Sequence, residues 1–141
     1  MTTKRENILA AIRTALTGAT GVGTRIYRTR VDALSRTECP AIIVQPIRDV
    51  CVQQTSMRKL DWTMTVRVTV IERSSIPDQS ADDTVESVHS KMMADLTLGG
   101  ECIDVRPVRT EFEFIEADQP AGLIGCEFEI QYRTEQGDLS Q

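Results

Sequence analysis

Aromatic side chains are scarce in this 141-residue chain: one Trp, two Tyr and three Phe. A surface that grips single-stranded nucleic acid by stacking needs a better supply. Histidine is scarcer still. His89 stands alone on a helical stretch, with no second His, Cys or carboxylate at a metal-ligand spacing with an obvious role, so it reads as a partly exposed helix residue rather than a metal ligand or general base. No apolar run approaches the roughly 18–20 residues of a membrane span. Basic charge is not in excess either: 16 Lys and Arg face 21 Asp and Glu, for a formal charge of −5. Such a balance does not suit tight binding to a phosphate backbone. Cys39, Cys51, Cys102 and Cys126 include no C-x-x-C pair, and their intervals fit no common zinc pattern. Each lies in an apolar or strand-like stretch, where a thiol serves as a small hydrophobe. Four reduced cysteines and folding in a reducing cytoplasm are expected. No apolar h-region follows Lys4 and Arg5, because Arg13 breaks the run Ile8–Ile12, so no secretory leader is expected.

What is present is ordinary globular composition, 40% apolar and 26% charged. The length suits a single domain spanning residues 1–141, with a flexible polar tail from about 136 onward. Thr3-Lys4-Arg5-Glu6 has the form of a capping box. Ile8, Ile12, Ala15 and Leu16 follow at helical spacing, which predicts an amphipathic helix over 4–17. The glycines of 18–23 lack the order, the preceding strand and the Gly-Lys-Ser/Thr of a phosphate loop, and read as a turn. A short strand is expected at 25–28. A buried one follows at 41–44, where Pro46 marks an edge or bulge and residues 50–52 continue it.

The clearest pattern runs over 58–73. Leu60, Trp62, Met64, Val66, Val68 and Val70 alternate with Lys59, Asp61, Thr63, Thr65, Arg67 and Thr69. A helix would scatter that set; a strand puts all six apolar residues on one face. A second helix is predicted from a cap at Asp78 or Ser80, with Val85, Val88, Met92 and Leu96 as its stripe and Leu98-Gly99-Gly100 as its end. Glu111 and Glu113 alternate with Phe112 and Phe114. Ile124, Cys126, Phe128, Ile130 and Tyr132 then line one face of a long strand whose other face carries Glu127, Glu129, Gln131 and Arg133. Residues 117–122 join the two as a hairpin. The expected class is α+β: an antiparallel or mixed sheet with two amphipathic helices packed on one face and the other face bare.

No catalytic constellation emerges. Glu111, Glu113, Glu127 and Glu129 lie on a polar strand face, where carboxylates need no catalytic explanation. No G-x-S-x-G occurs, and no nucleophile has a partner His. The expectation is a non-enzyme without cofactor or metal. Arg25, Arg28, Arg30 and Arg36 cluster in sequence, either as a solvated basic patch or as an interface to an acidic surface. With Glu111, Glu113, Glu127 and Glu129 they form the candidate subunit or partner interface.

Several segments, in this order and spacing, resemble tailed-phage tail terminator proteins. They are Glu6–Arg13, Tyr27–Val31, Glu38–Val44, Met93–Gly100, Asp104–Pro107, Thr110–Phe114, Glu116–Asp118 and Tyr132–Thr134 with Gly137–Leu139. The resemblance implies a structural virion protein, made in the host cytoplasm and located at the tail–head junction. Such a protein forms a ring with further copies of itself, with six subunits in the lambda-type member. It caps the head-proximal end of the tail tube, stops its polymerisation and presents a surface to the head-completion or connector protein. DNA passes through the lumen without specific binding, and no membrane is involved. A neighbouring tail-completion or head–tail joining (neck) protein is the near alternative, and a small non-phage binding or adaptor module is the further one. Ring-shaped particles would separate the assembly readings from the adaptor and from an enzyme.

Overall fold

A computed structural model of the chain describes residues 2–29, 40–54, 58–116 and 120–141. Among these, two helices and five strands follow the order α1 (Lys4–Leu16), β1 (Ile26–Arg28), β2 (Ala41–Gln54), β3 (Lys59–Arg73), α2 (Pro77–Ala94), β4 (Asp104–Ile115) and β5 (Ala121–Glu135). The strands make a mixed sheet in the spatial order β1-β2-β3-β5-β4. Only β1 and β2 pair in parallel; every other neighbour is antiparallel. The α+β class expected from the sequence is the one observed.

The alternation of residues 59–73 makes β3 the central strand, with β2 on one side and β5 on the other. Val66 pairs with Phe128 and Val68 with Cys126, so the apolar faces of the two patterned strands coincide. Above that face α1 contributes Ile8, Leu9, Ile12 and Leu16, and α2 contributes Ala81, Val88 and Met92, to one buried cluster. Thr3 accepts a hydrogen bond from the Glu6 amide at 3.2 Å, the first half of the expected capping box. The second half is missing because the Glu6 carboxylate turns instead to Arg28.

Three local expectations need correction. The second helix starts at Pro77, ahead of Asp78 and Ser80, with proline's fixed φ in its first turn and no side-chain cap. It ends at Ala94. Leu96 therefore falls in the following turn, 43% exposed, and Ala81 and Thr84 complete the buried stripe with Val88 and Met92. Cys51 is exposed rather than buried. In the polar tail the Glu135 amide donates to the Gln141 carbonyl and the Lys4 amide to that of Leu139.

One glycine explains how α2 sits so close to the sheet. A Cβ on Gly122 would lie 2.6 Å from Cβ of Pro77. Gly122→Ala should therefore push the start of α2 off β5, a cost of about 1–3 kcal/mol. It should appear as a lowered thermal midpoint with an unchanged helix signal.

Candidate functional site

Two sheet edges and one open sheet face hold the candidate residues. Arg25 and Arg28 lie at the β1 edge. Glu111 and Glu113 lie at the opposite edge on β4, with Glu127 and Glu129 one strand inward on β5. Arg30 and Arg36 lie outside the described residues, as does Cys39. The acidic candidates are thus brought together, and Arg25 and Arg28 are held apart from them at the other end of the sheet.

Both described arginines have work within the chain. Arg28 makes a two-pronged contact with Glu6 of α1, at 2.8 and 3.2 Å. Arg25 donates to the carbonyls of Gly21 at 2.6 Å and Pro40 at 3.0 Å, tying the glycine turn to the start of β2. Arg28 thus belongs to the packing of α1 on β1, and reversing its charge would set it against Glu6.

The open face is a lattice of ion pairs, not an acidic stripe. Glu127 is 1% exposed although no helix covers this face among the described residues. Two arginines cover it: Arg67 from β3 at 3.1 Å and Arg109 from β4 at 3.2 Å. Arg106 pairs with Glu129 at 3.0 Å, Arg109 with Glu111 at 3.4 Å, and Arg133 with Asp61 at 2.5 Å. Arg67 reaches Glu127 by lying across Gly125, where a Cβ would meet its Cδ at 3.1 Å. A bulge between Pro107 and Arg109 sets Arg109 opposite Glu127; an unbroken ladder would have placed Val108 there. On either side of the central bridge the face dips into a trough. One is about 730 Å³, lined by Arg48, Val50, Thr63 and Gln131 among others. The second is about 460 Å³ and holds Ile43, Thr69, Ile71 and Leu123.

Burial works to raise the Glu127 carboxyl. The hydrogen bonds and charges of Arg67 and Arg109 outweigh it and hold the group below the ordinary carboxylate range. A depressed folded pKa gives stability that is present above the unfolded value, about 4.3, and lost as pH falls through the folded one. An acid limb in the unfolding midpoint should therefore begin below about pH 4.3. Glu127→Gln should flatten it, as read by thermal melts across pH.

Two thiols sit in the core layer. Burial pushes Cys102 up to about 11. Burial raises Cys126 too, partly offset by its hydrogen bond with Thr110. Burial thus disfavours the reactive thiolate at both. Alkylation of the native protein, mapped by peptide mass, should label exposed Cys51 ahead of Cys102 and Cys126. His89 is exposed on α2, beside Arg109 and Thr110 in a cleft of about 330 Å³. No group of three or more metal-ligating side chains occurs among the described residues.

A further grouping joins Asp49, Arg5 and Tyr132. The bulge after Pro46 turns Asp49 toward the helices. There its carboxylate accepts from Arg5 at 2.7 Å and from the Tyr132 hydroxyl. Burial first, then the Asp49 hydrogen bond and charge, raise the Tyr132 phenol. Tyr132 stacks on Trp62 with ring centroids 6.4 Å apart. The cluster pins α1 to the sheet; its role is structural.

The edge strand β4 is the largest departure from the sequence pattern. Phe112 and Phe114 point to the helix side, yet they are 60% and 56% exposed because α2 stops short of covering them. Ile115 and Val108 are also exposed. Their alternation with Glu111 and Glu113 gives a strand but not its place in the sheet, and the edge position of β4 leaves the pair bare.

Neither protein-family models nor curated protein sequences match the chain. The fold is similar to that of a chain in the virion of a native gene transfer agent particle. The TM-score is 0.53 at 10% identity, over 89% of this chain and 94% of that one. At that identity the likeness speaks for the fold alone.

Proposed function

We propose that the chain is a non-enzymatic structural protein of a tailed-phage or phage-like virion, acting as a tail terminator. Copies close into a ring on the head-proximal end of the tail tube, end its polymerisation and present the outer surface to the head connector. Six copies are expected from the lambda-type resemblance. The observation that carries this reading is the likeness to a gene transfer agent virion chain, which spans almost the full length of both proteins. The segments that resemble tail terminators point the same way.

The surface chemistry agrees with this role. Among the described residues, Arg67, Arg106, Arg109 and Arg133 of the open face are paired with carboxylates of the same subunit, which lowers the positive charge the face offers to DNA. A net charge of −5 disfavours phosphate further. DNA would then slide past such a ring without being held.

Electron microscopy of the purified chain mixed with tail tubes tests the reading. Rings seated at one tube end are expected. Decoration along the tube wall, or no association with tubes, would overturn it.

A further inference from the structure

Among the described residues no strand pairs with the outer side of β1 or of β4, and the register places the two edges on the same rungs. Phe112 pairs with Ile124, Ile124 with Val70, Val70 with Ile42, and Ile42 with Ile26. One rung therefore runs from β4 straight across to β1. The adjacent rungs join Glu111 to Tyr27 and Thr110 to Arg28 in the same way. The directions also match. β1, β2 and β5 run one way, and β3 and β4 run the other. Identically oriented copies set side by side bring β4 of one against β1 of the next as antiparallel neighbours, the pairing that a closed sheet favours.

We infer that residues Thr110–Phe114 of β4 add as a strand to the β1 edge of a second copy, so that the sheet continues from subunit to subunit around the ring. The inference rests on the ring reading above and names its contact. Strand addition satisfies outward backbone groups that an edge otherwise leaves unpaired; at β1 the Ile26 amide is not among them, since it already donates to the Thr24 carbonyl at 2.8 Å. Above the bulge at Pro107–Arg109, β4 carries no proline to block it. Pleat parity sets Phe112 on the helix side, beside Ile26 of the next copy and the flank of its α1, which Arg28 and Glu6 tie to β1. The same parity puts Glu111 and Glu113 on the open face, level with the Arg25 turn of that copy. Charge complementarity thus favours a second copy of this chain as the occupant: β4 offers carboxylates at 111 and 113 where β1 offers Arg25. The contact is heterologous, with two different edges on each subunit, and so generates a closed ring when the rotation closes.

Site-directed cross-linking tests it. The variant Tyr27→Cys, Glu111→Cys is made on a Cys51→Ser background, concentrated and mildly oxidised. A non-reducing gel should show a ladder of covalent oligomers ending at the ring size, while either single-cysteine variant should give no ladder. Phe112→Asp, at an exposed position, should fold normally by circular dichroism and lower self-association at least tenfold by sedimentation. Rings that form without cross-linking and tolerate Phe112→Asp would overturn the edge contact and leave the ring reading standing. Covalent dimers from Glu111→Cys alone would show β4 pairing with β4 and overturn it likewise. A chain that stays monomeric up to about 1 mM would overturn the contact. If it also failed to seat on tubes, the ring reading would fall with it.

Discussion

Val66→Asp should remove a large part of the stability of the domain. Val66 is fully buried on the central strand, opposite Pro46 on one side and Phe128 on the other, beneath the helices. No cation within that cluster can pair with a carboxylate placed there. An unpaired buried charge costs at least about 3–5 kcal/mol, against a total stability of about 5–15 kcal/mol for a domain. Circular dichroism should show the unfolding midpoint falling much further than Val66→Ala lowers it. A Val66→Asp protein that melts like the parent would contradict the register of β3.

Arg67→Glu should have the second largest effect, and it should depend on pH. The substitution replaces one of two cations over the buried Glu127 carboxylate with a second carboxylate. Arg67 is itself about one-third exposed, so solvent moderates the loss. About 2–4 kcal/mol is expected near neutral pH. Two carboxylates at one site raise each other's pKa. Protonation then relieves the repulsion, and the gap to the parent should narrow as pH falls toward 5. Arg109→Glu should cost less, because Arg109 is more exposed. Equal losses for the two variants at all pH values would mean that the bridge over Gly125 is not what holds Glu127.

Much of the fold is legible in the chain because two strands alternate strictly. Leu60 to Val70 and Ile124 to Tyr132 each have one apolar and one polar face, and burial of both apolar faces forces them together beneath amphipathic helices. Pro46 announces the bulge that the structure shows between Pro46 and Arg48. The parts that stay hidden depend on register and edge position. Arg67 is visibly on the polar face of its strand, but its meeting with Glu127 needs the β3–β5 pairing, and that of Arg109 needs a one-residue bulge. Phe112 and Phe114 alternate like core residues, and nothing in the alternation says that their strand ends the sheet. The start of α2 is missed because its first residue is a proline without a side-chain cap before it, a signal easily taken for loop.

The candidate site is legible only as residue types. Basic residues near 25–36 and acidic ones near 111–129 stand out in the chain. The separation of Arg25 and Arg28 from Glu111 and Glu113 to opposite sheet edges, and the intramolecular contacts of the two arginines, appear only in three dimensions. This matters for experiment: charge reversal at Arg28 would disturb the seat of α1, so Phe112 and Glu111 are the cleaner positions for testing assembly.

The most direct measurement of the central claim is tail length. In a tail-assembly reaction lacking this chain, tubes should overrun to long and unequal lengths, and adding the purified protein should restore one uniform length. Tubes of the same uniform length with and without the chain would contradict a role in ending polymerisation.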